Sequence, residues 1–144
     1  MEIRLAFALS HNNVFEEKHF GEADKYLVYE LNPNGMILLS EVTNPFKTFE
    51  SNQLHGSAKK GAAVISFLKG LGVSILVSRR FGQNIRMVNR HFIPVIISKE
   101  EPGQVSKILM KHIKWLQDEL ENKPPEYGVF TLNNGILKSR VKTK

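Results

Sequence analysis

The chain has 144 residues, 42% of them hydrophobic and 24% charged, which predicts one globular, cytoplasmic domain without a membrane span or signal peptide. Because cysteine is absent, disulfides, thiolate nucleophiles and thiolate metal ligands are excluded, so a metal would need histidine, carboxylate or backbone ligands. The formal net charge is +6, but four of these charges belong to the C-terminal cations Lys138, Arg140, Lys142 and Lys144. The rest of the chain carries only +2, so its charge is weak support for nucleic-acid binding.

The first half of the chain predicts three strands followed by a helix. The run EIRLAFAL (2–9) predicts a strand buried on both faces, because its apolar residues do not alternate cleanly with polar ones. The runs KYLVYEL (25–31) and MILLSEV (36–42) flank NPNG, whose residues are typical of a tight hairpin turn. The segment GSAKKGAAVISFLKGLG (56–72) repeats apolar residues at helical spacing and therefore predicts a helix.

The second half alternates strands with helices. We predict strands over VSILVS (73–78) and FIPVIIS (92–98), a short helix over GQNIRMVNR (82–90), and a long amphipathic helix over 102–122. NKPPE then breaks the chain, and YGVFTLNNGILKSRV predicts a second hairpin around Asn134 and Gly135. The domain organisation predicted from these patterns is one domain over 1–122 and an extension over 123–144 with a hairpin and a basic tail.

This order of elements predicts an α/β fold in which helices flank a mixed sheet. If the first strand runs up, the hairpin runs down and then up, and the later strands also run up. The loops over 10–23, 43–56 and 78–84 then open at one edge, the carboxyl edge of the parallel strands. Open α/β sheets bind ligands at that edge, so the topology gathers three distant segments into one candidate site.

The three loops carry residue types that suit an anionic ligand with imidazole ligation. They contain His19 and Gly21, then His55 and Gly56, then Arg79, Arg80, Gly82 and Asn84. Two predicted helices also direct their N-terminal amide groups toward this edge. Each residue has a plainer interpretation as well: the histidines as ordinary loop or cap residues, the glycines as turn residues, and the arginines as solvated charges.

A family resemblance covers roughly residues 1 to 120 and rests on three segments in a fixed order. They read HFGEADKYLVYEL, then HGSAKKGAAVISFLKGLGVSILVS, then FGQNIRMVNRHFIPVII. In this order and spacing they resemble the dinitrogenase iron–molybdenum cofactor biosynthesis family, which includes NifX- and NafY-like carriers and the C-terminal part of some NifB proteins. The matching motifs are His19 to Ala23, His55-Gly56 and Gly82 to Asn84.

The resemblance implies a ribonuclease H-like fold with a mixed five-stranded sheet. It also implies a non-catalytic carrier of an iron–sulfur or iron–molybdenum cluster, which the purified protein need not retain. A donor or acceptor protein would be the partner, and we expect a monomer or weak homodimer. The implied metal ligands are His19 and His55, and the implied cofactor site also includes Gly21, Gly56, Arg79, Arg80, Gly82 and Asn84. The chain departs from the family in the basic HGSAKKGAA segment and in Arg79 and Arg80, which stand where small residues are usual.

Two other functions compete with the carrier interpretation of the sequence. Ribonuclease H-like folds host nucleases, but that chemistry needs several carboxylates around two metal ions. The first strand offers only Glu2, and the strands over 73–78 and 92–98 contain no acid, so nuclease activity is disfavoured. The main alternative is a basic interaction module that binds nucleic acid or a protein partner through the C-terminal tail. The chain has no basic-aromatic stripe, which disfavours nucleic acid as a partner.

Overall fold

The computed structural model describes residues 2–47, 58–132 and 136–139. The strands in these ranges are β1 (Ile3–Leu9), β2 (Lys25–Asn32), β3 (Gly35–Thr43), β4 (Ile75–Ser78), β5 (Ile93–Ile96), β6 (Val129–Leu132) and β7 (Ile136–Ser139). The helices are α1 (Ala58–Gly70), α2 (Ile85–Val88), α3 (Pro102–Lys111) and α4 (Ile113–Asn122). None of these described helices combines the length and apolar character that crossing a membrane requires.

All the described strands form one sheet in the order β3-β2-β1-β4-β5-β6-β7. β1, β4, β5 and β6 pair in parallel, while β2 is antiparallel to both of its neighbours and β7 is antiparallel to β6. The predicted mixed α/β class is confirmed. The sheet has seven described strands rather than five, because residues after α4 add β6 and β7 beside β5. The ribonuclease H-like assignment stays a prediction.

The second hairpin joins the core rather than standing apart from it. β6 and β7 pair from Val129 opposite Ser139 to Leu132 opposite Ile136, as expected for a hairpin. Phe130 of β6 is fully buried and packs in the same apolar cluster as β1 and β5. The turn predicted at Asn134 and Gly135, and the basic tail from Arg140 onward, lie outside the described residues.

Apolar side chains of β1 point alternately to two cores, which confirms the predicted burial on both faces. Ile3, Leu5, Phe7 and Leu9 pack with buried residues of α3 and α4, whereas Ala6 and Ala8 face α1. The small alanines leave space on the α1 side for aromatic side chains. The buried residues that fill this space include Phe20, Tyr26 and Phe92.

The long helix predicted over 102–122 is broken at His112 into α3 and α4. His112 has φ −114° and ψ 25°, which is not a helical conformation, and its N–H points toward the carbonyls of Ile108, Leu109 and Met110 at the end of α3. α3 packs beside β3 and α4 beside β5, so the break lets the two segments follow a twisted sheet. Trp115 of α4 lies at the surface, where its side chain is 47% exposed and its ring lies against that of His112.

The parallel strands place the loops that follow β1 and β4 at the same edge, as predicted. The chain leaves β1 toward β2 on one side and leaves β4 toward β5 on the other. The carboxyl ends of β1 and β4 therefore flank a topological switch point, where open α/β sheets have a crevice. Of the loop after β3, residues 44–47 are described and residues 48–57 are not.

Candidate functional site

The backbones of two predicted loops meet directly at the switch point. His19 and Arg80 form a parallel bridge, and the Phe20 N–H donates a hydrogen bond of 3.2 Å to the Arg80 carbonyl. The same carbonyl accepts a 3.1 Å hydrogen bond from the Ser78 hydroxyl. The loop that follows β1 and the loop that follows β4 are thus fixed against each other.

His19 stands at the start of a short 3₁₀ helix over Phe20–Glu22. Its side chain does not cap that helix, is only partly buried, and is hydrogen-bonded by no other described residue. The ring lies against Gly82, since a Cβ atom placed on Gly82 would be 3.6 Å from His19 Cδ2. Gly82 has φ +60°, a conformation that favours glycine. The imidazole is therefore held beside bare backbone with its nitrogens available to a ligand.

Phe20 fixes the position of the histidine. Its side chain is fully buried, with its ring centroid 5.6 Å from that of Phe81. The buried Tyr26 hydroxyl donates a 2.7 Å hydrogen bond to the Phe20 carbonyl. Burial raises the pKa of Tyr26 far above its ordinary value, so this hydroxyl keeps its proton as a donor. Phe20 therefore anchors the loop that carries His19 in the core.

Asn44 is a positioning residue that the sequence indicated only as part of a loop. Its side chain is buried, and its Nδ2 donates hydrogen bonds of 3.0 Å and 2.9 Å to the carbonyls of Gly21 and Ala23. Its Oδ1 accepts the Phe46 N–H at 2.9 Å, a turn typical of asparagine. The end of β3 is thereby tied to the chain that follows His19.

Gly21 is not required by backbone conformation, although the sequence suggested a close turn there. Its φ is not positive, so the backbone does not require glycine there. A Cβ atom added to it would lie 3.5 Å from the Lys60 side chain, an ordinary van der Waals distance. Gly61 is the glycine that close packing does require, since its Cβ would lie 2.7 Å from Asn84 Nδ2. Asn84 is buried at the end of the 3₁₀ helix Gly82–Asn84, and it links this loop to α1.

Arg79 and Arg80 diverge, because consecutive residues of an extended chain point to opposite faces of a sheet. Arg80 is exposed beside His19. Arg79 instead lines a cleft of about 420 Å³ on the α3 side, together with residues that include Ser10, Glu16, Ser98 and Pro102. The structure brings His19, Arg80 and Gly82 together and directs Arg79 elsewhere.

The chain on either side of residues 48–57 is attached to the loop that carries His19. Lys60 Nζ lies 2.5 Å from Glu22 Oε2 and 3.0 Å from the carbonyl oxygen of Lys47. Lys47 in turn pairs with Asp24. His55 and Gly56, the second predicted ligand and its neighbour, lie outside the described residues.

Asp24 holds the base of these loops together. Besides Lys47, its carboxylate accepts the His11 N–H at 2.8 Å and contacts His11 Nδ1 at 3.1 Å. These partners, Lys47 first, hold the pKa of Asp24 well below its ordinary value. Since this folded-state pKa is depressed, the contribution to stability is complete at neutral pH and is lost as acid protonates the carboxylate.

Within residues 2–47, 58–132 and 136–139, no group of three or more histidine, aspartate or glutamate side chains is arranged to hold a metal ion. His19 is an imidazole that this edge of the sheet presents beside the bare backbone of Gly82.

The order of the strands and the helices beside the sheet define the class: small domains of the mixed α/β type. The family model described as dinitrogenase iron-molybdenum cofactor matches residues 1–114, so the chain belongs to this family. The membership predicted from the sequence is confirmed. The family takes part in the biosynthesis of the iron–molybdenum cofactor, which supports a metallocluster-related role. No curated protein matches the sequence.

Proposed function

We propose that this protein is a non-catalytic, cytoplasmic carrier of an iron–sulfur or iron–molybdenum cluster, taken from a donor protein and passed to an acceptor. The cluster is cargo rather than a resident cofactor. The observation that carries the proposal is the His19 imidazole, partly exposed at the switch point and fixed by the buried Phe20. Family membership supports the same conclusion.

His19 and His55 are the proposed ligands. Imidazole is a competent ligand for iron, and in a chain without cysteine it is the natural donor. His55 lies outside the described residues, and its role rests on the motif that the chain shares with the family. Two imidazoles bind iron less tightly than the thiolates of a permanent cluster site, which suits a protein that must release its cargo.

In this proposal the remaining predicted residues balance the charge of the cluster or leave space for it. Arg80, exposed beside His19, offsets the negative charge of a cluster, and Gly82 leaves the space through which the cluster approaches the imidazole. Gly21 and Asn84 lie in the loops around His19, and Gly56 is included in the proposed site on its sequence motif alone. Arg79 lines the cleft on the α3 side, where its guanidinium lies 3.9 Å from the Glu17 carboxylate, and in this proposal it adds positive charge at a distance from the cluster.

Anaerobic reconstitution with ferrous iron and sulfide tests the proposal. Wild-type protein is expected to acquire a visible charge-transfer absorption and stoichiometric bound iron. The double variant His19→Ala, His55→Ala is expected to lose most of both. A matched control is His91→Ala, His112→Ala, which removes two histidines away from the crevice and should load like wild type.

Equal, weak loading of the wild type and of both double variants would refute the carrier. That result would favour the interaction module with its basic tail, which binding to an anionic polymer with a steep salt dependence would then identify.

A further inference from the structure

The outer edge of β3 carries an exposed apolar segment. β3 is the outermost strand on one side of the sheet, and no other described strand pairs with its outer side. The consecutive side chains of Ile37, Leu38 and Leu39 are 53%, 53% and 42% exposed. Because neighbouring residues point to opposite faces, the apolar surface wraps around the edge.

This edge has few of the features that normally protect a strand from pairing with another chain. Protected edges are short, or they carry lysine or proline. β3 has nine residues, with neither lysine nor proline, and its single charged residue, Glu41, is paired with Lys25 at 3.1 Å. A bulge at Leu39, which has no partner on β2, is the only protective feature within this strand.

We propose that β3 is a self-association surface, at which a second copy of the chain adds its own β3 in antiparallel orientation about a two-fold axis. If the two-fold axis passes through Leu38, Ile37 of each copy lies opposite Leu39 of the other copy. Glu41 then faces Gly35 rather than a second carboxylate, so no like charges oppose each other. Two mixed sheets become one continuous sheet.

Length and composition favour this edge over the other one. β7 forms the opposite edge, and it has only four residues, one of which is Lys138. A short edge strand that carries lysine is protected from pairing with another chain.

The contact area sets the strength of the dimer. A strand of this length is about 30 Å long and a sheet about 10 Å deep, so the two copies together bury about 600 Å². This is below the roughly 1,200 Å² of stable interfaces, so the dimer is weak and depends on concentration. β1 and β2 lie between β3 and β4, so the proposed contact is two strands away from the switch point where β1 and β4 meet.

Sedimentation equilibrium of the full chain between about 10 µM and 1 mM tests this surface. The wild type is expected to shift from monomer to dimer across this range. Leu38→Lys should raise the dimer dissociation constant at least about tenfold, because it places two buried charges at the centre of the contact. Trp115→Lys, which replaces a similarly exposed apolar side chain on α4, should leave the constant unchanged.

Both substitutions are at exposed positions, and equal thermal unfolding midpoints would verify that neither variant is misfolded. A wild type that remains monomeric at the highest concentration would overturn the proposal. A dimer that Leu38→Lys leaves intact would also overturn it. The contact would then lie elsewhere, and Trp115→Lys or deletion of residues 136–144 would show whether it involves α4 or β7. Hydrogen exchange in Gly35–Thr43 should also slow as the wild-type concentration rises.

Discussion

Phe20→Ala is expected to lower the free energy of unfolding by about 3–5 kcal/mol, the range typical of removing a fully buried aromatic side chain. Phe20 has no exposed surface, and its ring packs on Phe81. The cavity would open between the sheet and the loop that carries His19. Urea denaturation of the wild type and the variant measures this difference directly.

Phe67→Ala serves as the control for this prediction, because Phe67 is only partly buried against the same cluster. It should cost clearly less than Phe20→Ala. Phe20→Leu should recover part of the lost stability by filling some of the cavity. If Phe20→Ala cost less than about 1 kcal/mol, the loop would not depend on the core and His19 would not be held in place.

His19→Ala is expected to weaken cluster binding by at least about tenfold in the reconstitution described above, since one ligand bond to iron is lost. The stability of the variant should stay within about 0.5 kcal/mol of wild type, because the side chain is partly exposed and makes no hydrogen bond to a described residue.

Two further substitutions at this position separate ligation from packing. His19→Cys supplies a thiolate, another iron ligand, and should restore binding. His19→Phe keeps an aromatic ring beside Gly82 but provides no donor atom, so it should bind as poorly as His19→Ala. Restoration by phenylalanine and not by cysteine would mean that the ring only packs against the loop.

The sequence predicted the central part of the fold because each signal there is local. β1 has apolar side chains on both faces, which only a strand between two helical layers can bury. Asn34 and Gly35 are typical of the turn between β2 and β3. Strand directions then follow from the order of elements, and they determine which loops share the carboxyl edge.

The features that the sequence did not predict depend on contacts between distant residues. The break at His112 reflects the twist of a sheet that spans seven strands, which no helical pattern encodes. Gly61 looks like an ordinary helix residue, yet the amide of Asn84 occupies the space of its missing side chain. Glu119 lies in a charged helix segment but is buried, where it accepts the Gly128 N–H at 2.7 Å.

The candidate site was predictable to the extent that topology determines it. Placement of the His19 loop beside the Arg80–Gly82 loop followed from strand order. The divergence of Arg79 from Arg80 did not, because it depends on which face of the sheet each residue occupies after β4 ends. The positioning role of Asn44, a residue of the second loop, was also not predicted, since an asparagine before Pro45 at a strand end is typical of any turn.

Pulsed electron paramagnetic resonance of the reconstituted, reduced wild-type protein tests the central claim most directly. With ¹⁵N-labelled histidine, the iron signal is expected to show hyperfine coupling to imidazole nitrogen, and this coupling should decrease in His19→Ala while persisting unchanged in His91→Ala. A cluster signal without imidazole coupling, or a coupling that His19→Ala leaves unaltered, would contradict ligation by His19.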